Sequence, residues 1–139
     1  MQRIEGLFVM KSEIAGRGVF TAEKIHKGDL IEICPVIIIP RSEVDTIHQT
    51  ELHDYYFVWG ENNQEAAIAL GFGSIYNHSY NPNAEFILDL ANSNIDFYSI
   101  QDIEPGTEIT VNYHGDPECL DDLWFDHYGN RVKRIKPFG

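Results

Sequence analysis

The chain has 139 residues, a net charge of −12, and a composition that is 43% hydrophobic and 12% aromatic. That is enough apolar material for one folded domain without disulfides, and it excludes a disordered chain. All 22 acidic residues precede Arg131, whereas Arg131, Lys133, Arg134 and Lys136 crowd the last nine positions. An acidic body repels phosphates, so direct nucleic-acid binding is disfavoured, and a basic peptide or a cationic cofactor is favoured. Cys34 and Cys119 form neither a disulfide framework nor a zinc pattern, and no apolar run is long enough to span a bilayer. The expected setting is soluble, intracellular and cytoplasmic, or nuclear in a eukaryotic source, with no membrane association.

In chain order, Ile4 to Met10 alternates as a first strand ends at Lys11-Ser12. Gly16 and Gly18 then bracket Arg17 in a tight turn before extended Val19-Phe20. Lys27-Gly28-Asp29 turns into Leu30 to Ile39, whose β-branched residues predict a strand. Pro35 inside that run predicts an edge position or a break. Ser42 with Asp45 suits a capping pair, and Val44, Ile47, His48 and Leu52 recur at helical spacing, so a short helix is expected over Ser42 to His53.

Tyr55 to Trp59 and Ala66 to Leu70 flank a hairpin turn at Gly60 to Gln64. Glu85 to Leu90 and Ile95 to Gln101 flank a second turn at Ala91 to Asn94. Between the two hairpins runs Gly71 to Asn83, GFGSIYNHSYNPN, aperiodic and rich in Gly and Asn yet apolar enough to bury. A buried irregular loop must satisfy its own backbone groups, which Asn and Ser side chains can do locally, and such loops shape sites. Glu104-Pro105-Gly106-Thr107 turns into a last strand ending at Tyr113, and Leu120 to Tyr128 reads as an aromatic-rich helical turn. The fold class is mainly β, several small sheets with short helices, in a single domain over 1–139. Its core is expected over 7–114, a closing segment over 115–130 and a basic tail over 131–139.

Three stretches in order carry a resemblance: Gly16-Arg17-Gly18-Val19-Phe20, Asn77-His78-Ser79 with Asn81-Pro82-Asn83, and Glu108-Ile109-Thr110-Val111-Asn112-Tyr113. Together they resemble the cofactor loop, the asparagine-histidine-serine signature and the catalytic-tyrosine strand of SET-domain protein lysine methyltransferases. The resemblance implies small β-sheets around a knot-like threading loop. It also implies transfer of methyl from S-adenosylmethionine to a lysine amine, with S-adenosylhomocysteine as product and a basic protein or peptide as substrate.

By that resemblance Tyr113 is the catalytic residue. Gly16, Arg17, Gly18, Tyr76, Asn77 and His78 bind the cofactor, with Trp124 and Phe125 folding over it. Tyr55, Tyr56, Phe57, Phe72 and Val111 are candidates for the substrate channel. Period-two alternation puts Ile109, Val111 and Tyr113 on one strand face. His114 and His127 lack a third ligand at useful spacing, so no metal is expected. The family's usual cysteine-rich zinc segment after the tyrosine is missing, Tyr80 replaces a cysteine, Asn112 an aspartate, and LIEICPV lacks the tyrosine-x-glycine element. Val111, where many members carry an aromatic, suggests room for more than one methyl. The alternatives are a catalytically inactive SET-like peptide-binding module and a small-molecule methyltransferase on the same scaffold. Homodimerisation is a further expectation.

Overall fold

The computed structural model describes residues 2–120. Trp124, Phe125, His127, most of the Leu120 to Tyr128 stretch and the basic tail lie outside the described residues. Among the described residues nine strands form two sheets: β1 (Leu7–Lys11), β2 (Arg17–Thr21), β3 (Leu30–Ile39), β4 (Tyr56–Trp59), β5 (Glu65–Ala69), β6 (Asn77–His78), β7 (Ala84–Asp89), β8 (Asn94–Ser99) and β9 (Glu108–Val111). One sheet has the order β1-β2-β9-β6 and the other β4-β5-β3-β8-β7. All pairings are antiparallel except β6 with β9, where Asn77 faces Thr110 and His78 faces Val111.

Pro35 marks a break in pairing rather than an outer edge, because β3 is the central strand of its sheet but changes partner there. The strand pairs with β8 over Leu30 to Pro35 and with β5 over Val36 to Ile39. The missing N–H therefore falls where β3 passes from one partner to the other, and the Pro35 carbonyl still accepts from Leu70 N–H at 2.9 Å.

The helix also departs from expectation. Helix α1 covers Arg41–His48 only, with Pro40 at its N-cap at φ −65° and no side-chain cap, so Ser42 is already inside it. Thr50 ends the run. Its hydroxyl donates to Ile47 O at 2.7 Å and accepts from Leu52 N–H at 3.2 Å, starting a separate 3₁₀ turn over Glu51–Asp54. A hydroxyl that bonds the nearby backbone competes with helix continuation.

A single core gathers Val19, Ile31, Phe57, Trp59, Tyr76, Ile95, Phe97, Ile109, Val111 and Tyr113. Each such side chain contributes about 1.5–3 kcal/mol by leaving water. The last strand is buried on both faces: Ile109, Thr110, Val111, Asn112 and Tyr113 are all buried, not alternate residues only. It lies between β2 and β6, which pair its two edges, while the burial of consecutive residues shows that both faces are covered.

Candidate active site

The site grows from the irregular stretch after β5. Asn77 enters β6 with its side chain buried, and its amide nitrogen donates to Ala15 O and Arg17 O, both at 3.1 Å, and to Glu108 Oε2 at 2.6 Å. Glu108 Oε1 accepts from the Ser12 hydroxyl at 2.6 Å. Ser12 in turn accepts from Ile14 N–H at 2.9 Å, and its own N–H donates to Gly16 O at 2.9 Å. The Ser12–Gly18 turn is therefore held from behind by Glu108 and Asn77. Gly16 needs its glycine for φ +46°, and space is open where a Cβ would stand. Gly18 needs its own for a different reason: a Cβ there would overlap the Glu108 carboxylate. A shallow concavity of about 540 Å³, lined by Lys11 to Gly16, follows this turn.

Tyr113 continues directly from β9. Its ring is buried, its phenol donates to Tyr76 O at 2.9 Å, and its backbone N–H donates to His78 Nδ1 at 3.0 Å. Burial pushes the phenol well above the usual tyrosine range, and the Glu108, Tyr55 and Asp54 charges add to the rise. The group therefore stays neutral at physiological pH. The His78 ring lies 5.0 Å from the Tyr113 ring and edge-on to Tyr80 at 4.4 Å. Gly16, Arg17, Gly18, Asn77, His78 and Tyr113 are thus joined through β2, β6 and β9.

Tyr76 meets this group through its main chain. Its ring is fully buried, stacked on Phe97 at 4.4 Å with the phenol on Glu32 Oε1 at 2.8 Å, while its carbonyl receives Tyr113. The channel candidates divide. The Tyr55 carbonyl accepts from the Ser74 hydroxyl at 3.1 Å, and Tyr55 contributes to the rise at Tyr113. The Tyr56 phenol is paired with His48 Nδ1 at 2.8 Å. Phe57 packs edge-on against Phe86 at 5.1 Å, and Val111 is buried in the core. Phe72 carries the Arg3 guanidinium 3.8 Å above its ring.

Sequence reasoning missed Ser12, Glu32, Phe86 and Glu108. Glu108 did stand in a quoted motif, but a strand-initial glutamate carries no signal of the Ser12 and Asn77 side chains that it meets. Phe86 stands against Gly115, just past Tyr113: a Cβ added at that glycine would lie 3.7 Å from the Phe86 ring. Among the described residues no group of three His, Cys, Asp or Glu could hold a metal ion, and no helix is long and apolar enough to cross a membrane.

Comparison with known proteins decides the family. A profile of the SET domain matches residues 16–114. The chain belongs to the SET-domain family of protein lysine methyltransferases. A relative from Schizosaccharomyces pombe, a histone-lysine N-methyltransferase specific for H3 lysine 37, is 35% identical over 132 residues, or 94% of this SET chain and 84% of that protein. A Plasmodium falciparum crystal structure, whose histone methyltransferase activity is an assignment and not a demonstration, is 29% identical with a TM-score of 0.64, covering 90% of this chain and 99% of that one. The apo ctPRC2 complex carrying Ezh2 mutations is 24% identical with a TM-score of 0.66. Its autoinhibited state is 21% identical with a TM-score of 0.69. This chain spans only 15% and 16% of those two chains, which share its SET fold.

Proposed function

We propose that this SET-domain protein transfers a methyl group from S-adenosylmethionine to a lysine side-chain amine of a basic protein. The observation that carries the reading is the buried Tyr113 phenol, fixed on the Tyr76 carbonyl beside the turn that Asn77 holds. When bound, the cofactor supplies an electrophilic methyl on a sulfonium centre. The Ser12–Gly18 turn fits such a group: Gly16 is open above its Cα, and the adjoining concavity is within the range of about 300–1,000 Å³ usual for small-molecule sites. Gly16, Arg17 and Gly18 would hold it through backbone groups, with Asn77, His78 and the Tyr76 main chain alongside.

Tyr113 would act by geometry rather than as a base. Its proton is committed to the Tyr76 carbonyl, so its oxygen meets an incoming amine as an acceptor and aims the nitrogen lone pair. A lysine amine has a pKa of about 10.4 in water and must lose a proton, and transfer into an apolar channel favours the neutral form. Tyr55, Tyr56, Phe57, Phe72 and Val111 are the proposed walls, with Phe86 added from the structure. Positioning of this kind can supply about 7–11 kcal/mol of a barrier. The histone specificity of the fission-yeast relative supports a basic protein acceptor, and such an acceptor suits an intracellular, chromatin-side reaction.

The test is calorimetric titration with S-adenosylmethionine, with and without a lysine-rich peptide, followed by methyl-label transfer to purified core histones. Wild type and Tyr113→Phe should bind. Asn77→Ala should bind about tenfold more weakly or not at all, and Tyr113→Phe should transfer about 100-fold more slowly. Folded wild type that binds no cofactor under either condition would leave an inactive peptide-binding SET module as the reading.

A further inference from the structure

Glu32 lies in β3, outside every motif that marks the site, and its side chain is only 2% exposed. A carboxylate so buried is costly unless paired and hydrogen-bonded. Oε1 accepts from the Tyr76 phenol at 2.8 Å. Oε2 accepts from Phe72 N–H at 3.0 Å and from Arg3 Nε at 3.2 Å. Gly71, at φ +67°, lets the chain pass the carboxylate, because a Cβ there would overlap Oε2. Arg3 completes the arrangement by lying over the Phe72 ring.

The carboxylate thus grips both ends of Phe72 to Tyr76. Inside that span Ile75 N–H bonds Phe72 O at 2.8 Å, and the Ser74 hydroxyl bonds Tyr55 O and Ala69 O at 3.1 and 3.2 Å. At the end of the span the Tyr76 carbonyl receives the Tyr113 phenol. Tyr76 therefore links two sites, its ring end on Glu32 and its carbonyl on Tyr113. An apolar residue at position 32 could fill the space but could hold neither the Phe72 N–H nor the Tyr76 phenol.

We propose that Glu32, with Arg3 and Tyr76, is a positioning residue for methyl transfer: it sets the Tyr76 carbonyl that orients the Tyr113 phenol. The role rests on the methyltransferase reading above. Small displacements of reacting groups are costly in rate, so loosening this brace should act on kcat.

The test compares Tyr76→Phe, which leaves the ring stacked on Phe97, in wild-type and Tyr113→Phe backgrounds, with core histones as acceptor. Arg3→Met, at a side chain 41% exposed, is the second variant and stands in if Tyr76→Phe fails to fold. Expected is a fall in kcat of about tenfold with the cofactor KM within about twofold. In the Tyr113→Phe background the same change should cost less than about twofold more, because the group being positioned is already gone. Amide hydrogen exchange should quicken at Phe72 to Tyr76 and at Tyr113 in both variants. A kcat within about twofold of wild type, or equal losses in both backgrounds, would overturn the positioning role. Wild type that transfers no methyl would sink the reaction instead, and the exchange pattern would still report whether Glu32 holds the Tyr76–Tyr113 contact.

Discussion

A Cβ added at Gly18 would overlap the Glu108 carboxylate and come within 3.0 Å of the Asn77 amide nitrogen. That carboxylate cannot swing aside freely, since Ser12 and Asn77 both bond it. Gly18→Ala should therefore cost about 1–3 kcal/mol through overpacking and broken hydrogen bonds, and weaken cofactor binding with it. Gly16→Ala meets open space and bears only the strain of φ +46°, about 1 kcal/mol. Urea midpoints of the two variants, with calorimetric titration alongside, check the order, and equal losses would contradict it. The glycine pair was visible in the sequence. That one glycine serves a backbone angle and the other a carboxylate could not be seen, because Glu108 is remote in the chain from both.

Among the elements, β9 decides most. It needs partners on both sides, yet β6 gives it only two residues. Asn83 extends that edge with a side chain: its amide nitrogen donates to Glu108 O and its amide oxygen accepts from Thr110 N–H, both at 2.9 Å. The amide thus copies a paired strand residue, and Ser79 N–H adds a bond to Val111 O at 2.9 Å. Asn83→Ala leaves two backbone groups of β9 unpaired and should cost about 1–3 kcal/mol. Asn83→Asp keeps the acceptor but turns a buried carboxylate oxygen toward the Glu108 carbonyl, so its loss should be no smaller. Thermal melts of both variants would show this, and an unchanged Asn83→Ala would refute the surrogate-strand account. The Asn-rich loop was expected to satisfy its own backbone. In the structure Asn81 N–H does bond the Ser79 hydroxyl locally at 2.9 Å, but Asn77 and Asn83 serve β9 and the Ser12–Gly18 turn.

At the scale of the molecule, burial raises the proton affinity of Tyr76, Tyr113 and Cys34, with Glu32 adding to the rise at Tyr76 and Cys34. Raised acids stabilise the fold fully below their unfolded pKa values and lose that stability as pH rises toward the folded ones. The unfolded thiol and phenols ionise from about pH 9 and 10, while the folded groups stay neutral. The urea midpoint should thus be flat near neutrality and fall above about pH 9, by up to about 1.4 kcal/mol per pH unit for each group. A midpoint unchanged to pH 11 would show these groups reaching water. The acidic body makes a second, separable prediction. The KM for a lysine-rich peptide should rise as salt increases from about 50 to 300 mM, with the cofactor KM nearly constant.

Local signals determined the strands other than β6 and the hairpin turns, and the motif resemblance singled out Gly16, Gly18, Asn77, His78 and Tyr113. Turn chemistry, period-two patterning and motif order act over short spans and are written in adjacent residues. Tertiary structure alone decided that Pro35 falls where β3 changes partner, that Tyr76 turns its ring inward and offers its carbonyl, and that Glu32 is buried and Glu108 half-buried beneath the two loops they brace. Each of those outcomes depends on which distant strand arrives as a neighbour. A carboxylate reads as surface in a sequence until the folded chain brings it the donors that offset its burial.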